Sequence, residues 1–166
     1  MIGTSKNWQV ISNYYAINDG KLYYFNNNVP TQIGGASNWI FVSNNYVINE
    51  YTENGDIYHD LYKIDNTDNS ITSIKEKIDF TFIAGNYGLS ENGDLYYINE
   101  EIASIVSKVN TNENKFIKIS ENYAINNENK LYYLNCSQDH INDGISLISE
   151  SAWKSISNHY AINSLG

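Results

Sequence analysis

The chain has 166 residues, with ten lysines, no arginine and 19 acidic residues for a net charge of −9. That balance argues against nucleic acid, because phosphate binding needs clustered cations and arginine is the preferred reader of base edges. No apolar run approaches the roughly 20 residues of a membrane helix, and a single cysteine, Cys136, excludes an internal disulfide. Met1 runs directly into repeat sequence instead of a basic and then apolar leader, so the expected location is cytoplasmic or virion-associated. The 27 asparagines, with abundant Ile, Tyr and Lys, fit an AT-rich bacterial or phage genome.

Taken in chain order, one aromatic pattern recurs in four and a half copies. The first runs Trp8, Ile11-Ser12, Tyr15-Ala16-Ile17-Asn18, Asp19-Gly20, Leu22-Tyr23-Tyr24. The second is Trp39, Val42-Ser43, Tyr46-Val47-Ile48-Asn49, Asn54-Gly55, Ile57-Tyr58-His59, and the third Phe80, Ile83-Ala84, Tyr87-Gly88-Leu89-Ser90, Asn92-Gly93, Leu95-Tyr96-Tyr97. The fourth is Phe116, Ile119-Ser120, Tyr123-Ala124-Ile125-Asn126, Glu128-Asn129, Leu131-Tyr132-Tyr133, and a half copy follows at Trp153, Ile156-Ser157, Tyr160-Ala161-Ile162-Asn163. From Ser12 to Ser43, Ala84, Ser120 and Ser157 the steps are 31, 41, 36 and 37 residues, the range of solenoids and propellers. The copies span about 1–31, 32–72, 73–109 and 110–146, with the half copy at 147–166, in a single repeat domain.

Aromatic and β-branched runs punctuated by Asn-Gly or Asp-Gly predict a three-stranded antiparallel meander per copy. In the first copy the strands are expected near 8–11, 15–18 and 21–25. Small residues at Ala16, Val47, Gly88, Ala124 and Ala161 suit sheets packed face to face. No window carries sustained helical periodicity, so the expected fold is all-β and propeller-like. Period-two alternation makes Tyr23, Tyr58, Tyr96 and Tyr132 packing residues.

Small residue, Tyr, Ala-Ile-Asn, Asp-Gly, Lys-Leu-Tyr-Tyr and then Gln32-Ile33-Gly34 resembles the repeat of the regulator-of-chromosome-condensation family, as does Ala84-Gly85. The repeat length is similar to that of bacterial members of the β-lactamase-inhibitory type. The resemblance implies a propeller and a protein partner. It is incomplete: four and a half copies stand where seven usually close a ring, and the Trp-Gly after the Tyr strand is missing. Because Ile2-Gly3 through Trp8 matches Ile33-Gly34 through Trp39, an open arc or a ring completed by another subunit is expected. Asp19-Gly20-Lys21-Leu22-Tyr23-Tyr24-Phe25-Asn26 also resembles choline-binding and clostridial-toxin cell-wall repeats, which implies glycan as an alternative ligand.

No catalytic constellation assembles. His59, His140 and His159 occupy slots that other copies fill with Tyr or Asn, or lie in a linker. Cys136, Asp139 and His140 are too few for a zinc site. Neither a catalytic residue, a metal nor a cofactor is therefore expected. Binding candidates are the residues before strand two, Tyr14, Asn45, Asn86, Asn122 and His159, and Tyr51 in an insertion of about three residues in the second copy. The expected function is a non-enzymatic binding or structural module in a bacterial or phage assembly, with a cell-wall lectin and a proteinaceous enzyme inhibitor as alternatives.

Overall fold

The computed structural model describes residues 8–35, 38–99, 106–109, 115–137, 139–141 and 144–164. It is all-β, with no helix among the described residues. The chain divides into two compact units, Met1–Asp79 and Phe80–Gly166. The first holds two four-stranded antiparallel sheets: β1(Val10–Ser12) β2(Tyr15–Asn18) β3(Lys21–Asn26) β4(Val29–Ile33), and β5(Trp39–Ser43) β6(Tyr46–Glu53) β7(Asp56–Ile64) β8(Ile71–Lys75). The second holds β9(Phe80–Ala84) β10(Tyr87–Ser90) β11(Leu95–Ile98) β12(Val106–Lys108), then β13(Phe116–Ile119) β14(Tyr123–Asn126) β15(Leu131–Leu134) β16(Ile145–Ser149), and the two-stranded β17(Trp153–Ile156) β18(Ala161–Asn163). Every sheet is a meander in sequence order, one per copy.

Each full copy thus gains a fourth strand that the three-stranded reading leaves in the linkers. These strands, such as Val29-Pro30-Thr31-Gln32-Ile33, are largely exposed and carry a weak apolar signal. Pro30 is tolerated because β4 pairs only with β3, so its missing N–H faces no second neighbour.

Two kinds of turn shape the meander. Asp19-Gly20 (φ 51 and 67) and Asn54-Gly55 (φ 55 and 92) put both central residues in the left-handed region, the hairpin turn whose twist matches the strands. In the third and fourth copies the turn widens: Gly93 N–H donates to Ser90 O at 3.0 Å, and Asn129 N–H to Asn126 O at 2.9 Å. Asn129 (φ 63) takes there the conformation that Gly93 (φ 78) has.

These same turns bind one copy to the next. Trp39 N–H donates to Gly20 O at 3.0 Å, Phe116 N–H to Gly93 O at 2.9 Å and Trp153 N–H to Asn129 O at 2.9 Å. The aromatics Trp39, Phe116 and Trp153 that open these copies are therefore fixed by their backbone to the preceding turn.

The ring meets the tyrosine of strand three in its own sheet. Trp8–Tyr23, Trp39–Tyr62 and Phe116–Tyr132 are edge-on, with centroids 5.2, 5.2 and 5.4 Å apart and planes at 85°, 84° and 86°. Phe80–Tyr96 has the same separation, 5.3 Å, but a tilt of only 41°. Gly88 explains the difference. Its counterparts Ala16, Val47 and Ala124 carry a Cβ, whereas a Cβ on Gly88 would lie 2.6 Å from the Phe80 ring, which occupies that space.

The register corrects the reading of the second copy. Val47 pairs with Tyr62 and Ile48 with Leu61, as Ala16 pairs with Tyr23 and Ile17 with Leu22. Leu61-Tyr62 is thus the repeat motif, and Ile57-Tyr58-His59 belongs to an eight-residue extension of the hairpin, Glu50–Glu53 and Asp56–His59, instead of a three-residue insertion. On one face of this arm Tyr51 stacks on Tyr58 at 5.7 Å, and the Lys77 ammonium lies 4.3 Å over the Tyr58 ring and 2.8 Å from Glu53. The other face carries Thr52 and Ile57, the latter 63% exposed.

Packing in the second unit is reinforced by charge. Lys108 lies 2.7 Å from Asp94, and Lys115 also bonds it; these two ammonium groups hold the Asp94 carboxyl below the usual carboxylate range. A carboxylate depressed by folding stabilises the fold above its unfolded pKa, about 4, and the contribution is lost as pH falls through the lower folded value. Asp94→Asn is therefore expected to lower the urea midpoint at neutral pH. The gap to the wild type should close as pH falls below about 4. A gap that persists in acid would show that the substitution acts through packing.

Candidate functional site

The turns between strands one and two repeat the same geometry in the first three copies. Asn13, Asn44 and Gly85 lead them with φ of 49, 52 and 56, and within each unit successive turns are bonded to one another. Asn13 Nδ2 donates to Asn44 Oδ1 at 2.8 Å, Asn44 N–H to Ser12 Oγ at 2.9 Å, and Glu121 N–H to Asn158 Oδ1 at 3.4 Å.

Four of the sequence-derived candidates follow these leading residues. The carbonyls of Tyr14, Asn45, Asn86 and Asn122 accept from the N–H groups of Phe25, Ile64, Ile98 and Leu134 at 2.7 to 2.8 Å. They tie the turn to the end of strand three, which is a structural role for the backbone. Their side chains differ: Tyr14 and Asn122 are exposed, Asn45 and Asn86 half-buried. His159 lies exposed in the β17–β18 turn with its ring 6.4 Å from Tyr160, and Tyr51 lies half-buried on the arm. The candidates are spread over all the copies, Asn45 and Tyr51 both in the second, and among the described residues neither the apolar groove nor the polar pocket of the second unit is lined by any of them.

The second unit has instead an apolar groove of about 260 Å³ lined by Phe82, Leu89, Ile117, Lys118, Ile119 and Ile156. It touches the first strands β9, β13 and β17 of three consecutive sheets. In each sheet strand one is an edge, so backbone groups and side chains are presented together. Phe82 is 40% and Ile117 49% exposed, whereas the adjoining Ile83 and Phe116 are buried. The signal is legible in retrospect. Phe82-Ile83 and Phe116-Ile117 place two apolar residues in succession, so one of each pair must face away from the core. Lys118, whose ammonium bonds the Lys154 carbonyl, gives the groove a cationic side.

Beneath the fourth sheet the Cys136 N–H donates to the Tyr87 hydroxyl at 2.8 Å, and its thiol donates to Ile141 O at 3.4 Å. Burial pushes both the Tyr87 and the Cys136 pKa up, which keeps the thiol protonated and inert. Among the described residues no group of three or more His, Cys, Asp or Glu is placed to hold a metal, and no helix is long and apolar enough to cross a membrane. No family model matches the chain, and no curated protein matches it.

Proposed function

We propose that this chain is a non-enzymatic structural module that builds a larger assembly through contacts between its own copies. The observation that supports this reading is the apolar groove along the strand-one edges. Burying exposed Phe and Ile side chains against a partner removes apolar area worth about 25 cal/mol per Å², and a groove with so few hydrogen-bonding groups suits protein better than glycan.

The partner segment should pair apolar side chains with a carboxylate, to meet Lys118 on a chain whose net charge is −9. The tip of the β6–β7 arm offers the apolar part, with Ile57 exposed, and Asp56 next to it in sequence supplies a carboxylate, whereas Glu53 across the hairpin is paired with Lys77. A second copy offering its arm to the groove makes a heterologous contact, which propagates unless rotation closes it into a ring. An AT-rich bacterial or phage composition and the unfinished repeat phase favour a virion or tail component as the setting of such an assembly.

Light scattering at several concentrations tests the reading. The expected result is a mass that rises above 18.9 kDa with concentration, and a return to the monomer in Ile117→Asp and Ile57→Asp. A monomer at every concentration would overturn it in favour of a free-standing binder or enzyme inhibitor. Association that neither substitution weakens would overturn the arm-to-groove contact.

A further inference from the structure

The strand that ends the fourth copy continues its alternation past the last ladder pair. Tyr133, Asn135 and Ser137 are exposed, and Leu134 and Cys136 between them are buried. Tyr133 lies opposite Ser146, and Asn135 N–H donates to Gly144 O at 2.6 Å, so the outward face is extended by two residues beyond β15. Gly144, opposite Asn135, projects no side chain into this face. His140 sits at the far end on a turn whose N–H donates to Ser137 O at 3.1 Å. Together these residues line an open pocket of about 420 Å³.

Its chemistry is specific. One wall is a tyrosine ring, 37% exposed and braced by Tyr123 at 5.7 Å. The other groups are an amide, two hydroxyls and an imidazole, and among the described residues no carboxylate or ammonium lines the pocket. A site for an ion would offer the opposite charge, and a site for an apolar group would lack this density of hydrogen-bonding partners. An aromatic face beside neutral donors and acceptors matches a pyranose, whose C–H face stacks on a ring while its hydroxyls both donate and accept. The volume falls within the range of small-molecule sites, about 300 to 1,000 Å³.

We infer that this pocket, formed by Tyr133, Asn135, Ser137, His140 and Ser146, is a binding site for a neutral saccharide unit. It is distinct from the apolar groove and does not depend on the assembly reading. In the second copy Lys63, Asp65 and Thr67 stand at the positions of Tyr133, Asn135 and Ser137, which removes the aromatic wall, and the first copy, which keeps Tyr24 and Asn26, joins β3 to β4 by the tight Asn27-Asn28 turn with no counterpart of the loop that carries His140.

The test is a titration of the isotope-labelled full chain followed by amide and side-chain NMR shifts. The probes are glucose, galactose and N-acetylglucosamine, each free and as its methyl glycoside, with glycerol as the acyclic control. The expected result is a saturable shift confined to the lining residues with at least one pyranose and absent with glycerol. A response to methyl glycosides marks the unit as the end of a glycan, and a response confined to reducing sugars marks a free sugar. Asn135→Ala should weaken the affinity about tenfold, the loss of one hydrogen bond. Ser146→Leu, which fills the pocket from an exposed strand position, should abolish binding while leaving the remaining spectrum unchanged. No saturable shift with any pyranose, shifts elsewhere on the chain, or equal binding by both variants would overturn the site.

Discussion

Gly144→Ala is expected to destabilise the protein by about 3 kcal/mol or more, the upper range for forcing atoms into a packed interior. The cause is backbone against backbone. A Cβ at this position would lie 2.5 Å from Cys136 Cα, 2.6 Å from Cys136 N and 2.7 Å from Asn135 O. None of these can swing aside as a side chain would. Relief requires separating the end of β15 from the approach to β16, which breaks the 2.6 Å bond from Asn135 N–H to Gly144 O and shifts the buried Cys136 N–H from Tyr87. The measurement is the urea midpoint, with free access of a thiol reagent to Cys136 as a local readout. A midpoint within about 0.5 kcal/mol of the wild type, the range of an ordinary surface change, would contradict the close approach. Gly35 supplies the control, because nothing lies within 4 Å of the Cβ it would gain.

Much of the fold was legible because the repeat carries its own punctuation. Small and aromatic residues at fixed offsets gave one antiparallel meander per copy, and the Asn-Gly and Asp-Gly turns placed the hairpins. The fourth strands were illegible for a physical reason: they are edge strands with one neighbour and little burial, so polar residues cost them nothing. The widened turns of the third and fourth copies were equally hidden, since Asn129 adopts a left-handed backbone without being glycine.

The backbone role of the candidate residues is not visible in their side chains. Residues before strand two vary among copies, and variation in a repeat invites a functional explanation. Here the repeated element is the carbonyl, which accepts from the end of strand three whatever side chain follows. The groove and the pocket were missed because both depend on what neighbouring strands leave uncovered. Phe82 and Ile117 look like core residues in sequence, and Tyr133 looks like one more copy of the paired tyrosines. Only the register shows that Tyr133, Asn135 and Ser146 share a face.

The second copy gives the sharpest test of register against motif. By spacing after Asn-Gly, Ile57 corresponds to Leu22 and should be core. By strand pairing, Leu61 does: it is fully buried opposite Ile48, while Ile57 is 63% exposed. Truncating a buried leucine removes its transfer energy and leaves a cavity, so Leu61→Ala is expected to cost about 2 to 5 kcal/mol. Ile57→Ala should stay within about 0.5 kcal/mol, since its methyl groups are already in water. Chemical denaturation of the two variants in parallel decides between the alignments, and equal losses would mean that the arm packs as core. The contrast also bears on function. An exposed isoleucine at the tip of a hairpin that the other copies lack contributes little to folding, which leaves it available for the arm-to-groove contact proposed above.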